Sequence, residues 1–379
     1  MKCEEARKYF PYLKSGKKYF NHAAIGPLSS RVNKKLDEYL FQRTESIIEN
    51  YFETEPTAKS AKNRLANMLS VDASSIAWSD SVSNSINVIA QGIKWKNGDQ
   101  IILNDIEFPS NVYPFLNLKN QGVEVLFVQS ENGIVDLPQI EKLVTSRTKL
   151  ISISMVQFLT GYRADLKSIG EFCKKRDIIF CVDGIQGAGV VQINLGECNI
   201  DFFAGGTHKW LMSLQGLSYF YISENLSQRI TQKFVGWTSV KDAWKLLDYE
   251  LNFLENANKF QNGNSSRIGM IALDASLSLF EEIGYANIER QILDNSSYLI
   301  NNLSNIGITP ILENVNKNNI AGIVSFKNQN AEKIVKELKD KDISCTVREG
   351  MVRISPHFYN TKDDLDLLVD ELVSLRANK

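Results

Sequence analysis

A chain of 379 residues with 43% hydrophobic content can bury a large core in more than one folding unit. Its 43 Lys and Arg against 44 Asp and Glu leave a net charge of -1, which excludes a chain-wide electrostatic footprint for nucleic acid or an anionic membrane. The scattered Cys3, Cys173, Cys181, Cys198 and Cys345 form no CxxC pair, so they signal neither a disulfide framework nor a zinc site and read as small hydrophobes of a reducing compartment.

In chain order, the opening MKCEEARKYF mixes both charge signs and lacks the apolar stretch of a signal peptide. No later run approaches the roughly 18 apolar residues of a membrane span, and a cytoplasmic protein is expected. Helical periodicity in AKNRLANML then gives way to short apolar runs, QIILND, VEVLFV, KLISISMV, IIFCVD and LSYFYIS. Helix-like segments separate several of them, as in DLKSIGEFCKKRD with its apolar Leu166, Ile169 and Phe172. Strands apolar on both faces and linked by helices predict an α/β protein with a mainly parallel sheet, whose ligands bind at the carboxyl ends of strands.

Beyond about residue 270 a helical ALDASLSLFEEIG precedes the strand GIVSFK, the helix AEKIVKELKDK, the strand MVRIS and the helix DDLDLLVDELVSL. This texture predicts a smaller α+β unit. The expected division is a large domain over 20–265 and a small C-terminal domain over 266–379, joined by the N-terminal segment 1–19.

Three stretches carry chemistry. WSDSVSNSINVIA opens a helix with Ser81, Val82 and Ser83, where free amides, the helix dipole and the hydroxyls of Ser83 and Ser85 suit a phosphate. Taken alone it reads equally well as an ordinary N-cap. In IIFCVDGIQGAG an apolar strand ends in Asp183, followed by Gly184, Gln186 and Gly187. A carboxylate there faces the ligand crevice and can keep a heterocyclic nitrogen protonated, with Gln186 in reach of a ring oxygen; the alternative is a DG turn. In DFFAGGTHKWL, Lys209 follows a buried-looking run. A desolvated lysine becomes a neutral nucleophile able to form a Schiff base, whereas a snorkelling surface lysine is the plain alternative. The paired Gly205 and Gly206 would let the backbone approach a cofactor.

The order of these elements, phosphate cradle, strand-end acid, then lysine, resembles fold-type I enzymes that use pyridoxal 5'-phosphate (PLP). Within them it resembles the class V aminotransferase family, which includes cysteine desulfurases, selenocysteine lyases and isopenicillin N epimerase-like proteins. The likeness runs from about Tyr19 to Leu375. It implies a mainly parallel central sheet with helices on both faces plus a smaller α+β C-terminal domain, PLP as cofactor, an α-amino acid as substrate, and a homodimer with shared active sites.

Carried over by motif, YFNHAAIGPLS resembles the N-terminal signature, which implies Ala24 near substrate and leaves His22 as either a contact there or a surface or packing histidine. EFPSN implies Phe108 stacked on the cofactor ring. MVQFLTGYRADL places Phe158 where desulfurases carry an asparagine, which leaves more of the ring-oxygen contact to Gln186. THKW implies the Schiff-base lysine in Lys209 and a phosphate contact from His208. After it, Ser213 and Leu214 replace the usual glycine and proline. FQNGNSS puts Asn264 where a threonine reaches the neighbouring subunit's phosphate, and Gly236 and Trp237 begin an entrance loop. In TVREGMVRISPHFYNT the resemblance assigns the substrate α-carboxylate to Arg353, with Arg348 as a second candidate.

Desulfurases insert a loop with the sulfur-accepting cysteine between those two arginine positions. Here Glu349, Gly350, Met351 and Val352 alone intervene. The expected activity is therefore an aminotransferase or Cα/Cβ lyase rather than a persulfide-forming desulfurase. An isopenicillin N epimerase-like epimerase is the alternative, and a catalytically silent PLP-fold binding protein is the alternative of another class.

Overall fold

The apolar runs assemble into one seven-stranded sheet in this computed structural model, which describes residues 1–377. Its strands are β1 (Ile76–Ser79), β2 (Gln100–Asn104), β3 (Glu124–Val128), β4 (Thr148–Ser154), β5 (Ile179–Asp183), β6 (Phe202–Gly206) and β7 (Ser218–Ile222). They lie in the order β1-β7-β6-β5-β4-β2-β3, all parallel except β7, which is antiparallel to both neighbours. The short β1 was not expected from the sequence, because only Ile76, Ala77 and Trp78 precede a polar run.

Alternation along the strands divides their side chains between two apolar layers. Ile101, Leu103, Ile179 and Cys181 pack with Ile86 and Ile89 of helix α3, defined below. Ile102, Phe180 and Val182 point the other way, into a layer with Leu166 and Ile169. The sheet is thus covered on both faces, as the double-sided apolar pattern demands. The principal helices are α1 (Ser30–Glu45), α2 (Tyr51–Leu69), α3 (Val82–Gly92), α4 (Leu166–Lys175), α5 (Arg267–Ile283), α6 (Tyr285–Asn305), α7 (Ala331–Asp340) and α8 (Lys362–Ala377). Among the described residues no helix is long and apolar enough to cross a membrane.

A second sheet, antiparallel and ordered β9-β10-β8, is built from β8 (Val324–Lys327), β9 (Thr346–Arg348) and β10 (Met351–Ile354). Its core gathers Leu299, Phe326, Leu338, Val352 and Leu368. Beyond the boundary expected after residue 265, the helices contribute to both cores. Met270, Leu273, Leu277 and Phe280 of α5 belong to the layer under the large sheet, and the small core begins only at Leu299, within α6. An amphipathic helix declares that it packs but not on which side of a junction.

The N-terminal segment spans both units. Lys18 and Tyr19 pair in parallel with Ile343 and Ser344, and Phe20 lies in the small core, while Phe10 packs with Phe358 and Tyr359.

Candidate active site

The carboxyl end of β5 carries Asp183, 2% exposed, with Oδ1 accepting the Ile185 amide at 3.0 Å. Burial raises its pKa, and the nearby Glu107 adds to the rise against the opposing pull of Lys209. Lys209 lies in the turn after β6, half-buried, with Nζ 5.6 Å from the centroid of the Phe108 ring. Desolvation lowers its pKa to about 8, and although Asp183 opposes this, Arg353 and Arg348 push it further down. Among the described residues Lys209 has no salt-bridge partner. Such an amine is poised as a nucleophile and a proton carrier.

Short contacts link Phe158 and Arg353 to the Phe108 ring beside Lys209. Phe108 meets Phe158 edge-on at 5.2 Å, and the Phe158 carbonyl accepts from Arg353 Nη1 at 2.7 Å. Ser83 Oγ bonds Ser110 Oγ at 2.9 Å, which brings the start of α3 beside the Phe108 loop. At that start Ser81 caps the Asn84 amide, leaving the amides of Val82 and Ser83 without an intrahelical acceptor. Ser85 does not join the cradle. It is fully buried and its hydroxyl is engaged by Ser79 and the Ser81 carbonyl. Ala24 is half-buried; His208 is also half-buried, and its pKa is lowered to about 4 by burial and then by Lys209.

Several expected contacts differ in kind. His22 is fully buried: Nδ1 donates to the Ser355 carbonyl at 2.7 Å and Nε2 accepts from the Tyr359 hydroxyl at 2.6 Å. With both nitrogens engaged it supports the wall of the site and offers no free nitrogen to substrate. Gln186 Oε1 accepts from the Trp210 indole N–H at 2.7 Å and its Nε2 donates one hydrogen to the Ala23 carbonyl at 3.0 Å, which leaves one hydrogen for any ligand. The paired glycines also serve the protein: a Cβ on Gly205 would meet the Tyr219 ring at 2.5 Å, and one on Gly206 would meet Ile185 at 2.8 Å. Asn264 is exposed and lines a cavity of about 760 Å³ with Asp80, Asn84 and Phe260.

Two features went unread in the sequence. Glu107 is buried and held by five donors: Asn104 Nδ2, Asn111 Nδ2, Gln157 Nε2, and the amide and hydroxyl of Ser154. Its signal was the polar spacing of Asn104, Glu107 and Asn111 around one turn. The other is a ring network in which His357 Nε2 donates to the Trp210 carbonyl at 3.1 Å and its ring packs near His22 at 5.0 Å. The signal was that His22, His208 and His357, the chain's three histidines, all fall inside the family-like segments.

This network predicts two outcomes. Tyr359→Phe leaves His22 Nε2 buried without a donor and should cost about 1–3 kcal/mol in urea-induced unfolding. Burial holds His22 neutral, its pKa lowered to about 3, so its contribution to stability is whole above the unfolded value near 6.5 and is lost as pH falls toward 3. Gly26→Ala would drive a Cβ to 2.3 Å from the Lys209 carbonyl oxygen, beside the hydrogen bond from the Gly26 amide to the His208 carbonyl. A melting curve should show a loss of about 1–3 kcal/mol, and an unchanged midpoint would contradict the close approach.

A half-buried lysine without an ion-pair partner among the described residues, a buried strand-end acid, an aromatic face and a helix start make up a candidate cofactor site. These residues fit PLP. The model of the Aminotransferase class-V family matches residues 18–368, and the chain belongs to that family of PLP-dependent enzymes. It is 24% identical to the "Uncharacterized aminotransferase YcbU" of Bacillus subtilis, covering 99% of each chain. It is 28% identical to a "Probable cysteine desulfurase" of Borreliella burgdorferi, covering 96% of this chain and 94% of the relative. Among solved structures it is similar to the apo cysteine desulfurase of Thermococcus onnurineus, with TM-score 0.90 at 23% identity over 99% of this chain and 98% of that one. The cystine C-S lyase C-DES in complex with its product superposes with TM-score 0.87 at 22% identity, covering 96% of this chain and 99% of that one.

Proposed function

We propose that the protein is an aminotransferase or Cα/Cβ lyase acting on an α-amino acid, with Lys209 and Asp183 as its catalytic residues. The observation that carries this reading is the desolvated Lys209 amine beside a buried Asp183 and under the Phe108 ring. PLP, when bound, supplies a ring that draws in charge released at the substrate Cα. Asp183 would hold the ring nitrogen protonated, Phe108 would cover the ring and exclude water, and the α3 start with Ser81, Val82, Ser83 and His208 would hold the phosphate. Gln186 keeps one N–H for a ring oxygen. Lys209 would hold the cofactor and, once released by an incoming amino acid, carry a proton at Nζ to and from the reacting carbon.

Arg353 would grip the α-carboxylate. It is 2% exposed and its Nε has no partner among the described residues, an arrangement suited to receiving an anion. The tight turn through Glu349 (φ 47°) and Gly350 (φ 72°) favours this activity over persulfide formation, because no cysteine lies between Arg348 and Arg353. Cys345, on the far side of β9, is buried and its thiol is pushed up to about 12, far from a reactive thiolate.

A homodimer with shared sites fits the exposed Trp244, Leu247, Tyr249 and Leu251, which follow Trp237 in the entrance loop, and the exposed Asn264. Five free cysteines fit a cytoplasmic setting. The test is incubation of the yellow holoenzyme with amino acids, with and without keto acids, read for keto acid, sulfide and inverted stereochemistry. New keto acid or eliminated product supports the reading. Sulfide with an enzyme-bound persulfide would replace it with desulfuration, and no change with any substrate would remove the catalytic assignment.

A further inference from the structure

We infer that the site selects an α-amino acid whose side chain bears a second acidic group, with Arg348 receiving that group while Arg353 holds the α-carboxylate; this rests on the role proposed above for Arg353.

The register of the small sheet supplies the geometry. Thr346 lies opposite Arg353 and Arg348 opposite Met351, so Thr346, Arg348, Met351 and Arg353 share one face of the β9–β10 hairpin. Arg348 and Arg353 are then diagonal neighbours, with Cβ atoms about 7–8 Å apart. The Arg348 side chain curls back further: Nη1 donates to Thr346 Oγ1 at 2.9 Å and to the Val347 carbonyl at 2.7 Å, which brings the guanidinium toward the residue facing Arg353.

This face is turned toward the lysine. Arg353 reaches the Phe158 carbonyl, and Ser325, paired with Arg353, donates to the Leu159 carbonyl at 2.7 Å. Phe158 packs on Phe108, whose ring lies 5.6 Å from Lys209 Nζ. Both guanidiniums add to the depression of the Lys209 pKa, and Arg348 likewise lowers that of Arg353.

The charges on this face are unbalanced. Neither arginine has a carboxylate partner among the described residues. Asp183, the acid that acts on the lysine, accepts from the Ile185 amide, and Glu107 is held by its five donors. Two like charges set near one another, Arg353 buried and Arg348 half-buried, oppose folding unless something neutralises them. An α-carboxylate answers one. A side-chain carboxylate or similar anion answers the other, and each arginine presents the planar donor fork that suits such a group.

The test measures binding without turnover. Holoenzyme is titrated by calorimetry with succinate and with butyrate, unreactive ligands of equal carbon number that differ in one carboxylate. Succinate should bind about 10- to 100-fold more tightly. Arg348→Gln should bring the ratio near one by weakening succinate, and Arg348→Lys, which keeps the charge, should retain part of the preference. Equal affinities in the wild type, or a preference that survives Arg348→Gln, would overturn the inference while leaving Arg353 as the carboxylate site. If neither ligand binds to PLP-loaded protein, the Arg353 role falls and this inference falls with it.

Discussion

Lys209→Ala is expected to give a folded protein that lowers turnover by about 10³-fold or more and no longer carries a borohydride-stable cofactor adduct. Mass spectrometry after reduction reads the adduct directly. Wild type should gain the mass of a reduced pyridoxyl phosphate on the peptide containing Lys209, and the variant should not. The substitution should not cost stability, because the wild-type amine is desolvated and lacks a salt-bridge partner. Its folded pKa, about 8, lies below the ordinary 10.5, so the native state prefers the neutral amine. Its contribution to stability is whole above 10.5 and is lost as pH falls through 8. At pH 7 the cofactor-free variant should therefore melt at or above the wild-type temperature. A large drop in melting temperature would recast Lys209 as a structural residue.

Asp183→Asn, an isosteric change, should lower turnover by about 10²- to 10³-fold while the protein still binds cofactor and stays yellow, since Lys209 is untouched. The sign of the stability effect separates a catalytic from a structural acid. Burial, aided by Glu107, raises the folded pKa of Asp183 above 3.8, so its favourable contribution belongs to the protonated form and is lost as pH rises through the folded value. The neutral asparagine removes that strain, and the cofactor-free variant should be no less stable than wild type at pH 7. A variant with full activity would sink the electrostatic role.

The architecture was legible where side chains repeat with the period of their element. IIFCVD and QIILND are apolar on both faces, and such runs have few solutions other than covered parallel strands. The burial of Lys209 and Asp183 was foreseeable, because each follows closely on or ends an apolar strand, where a charged group is costly. What escaped was relational. Nothing in YFNHAAIGPLS says that both nitrogens of His22 are satisfied by residues more than 330 positions away. Likewise, Gly205 and Gly206 looked like room for a ligand, yet the neighbours that need the space are Tyr219 and Ile185. The Ser85 hydroxyl looked available until helix α3 turned it inward. A glycine or serine announces a spatial need without naming which neighbour imposes it.

The meeting of the two chain ends around the lysine loop carries a consequence for biosynthesis. Gly26 bonds the His208 carbonyl, His357 bonds the Trp210 carbonyl, and Tyr359 closes on His22 from 337 positions away. On the ribosome, the large sheet through β7 has emerged well before His357 and Tyr359 exist. A nascent chain therefore carries the lysine loop with this wall unfinished until residues 357 and 359 have been added.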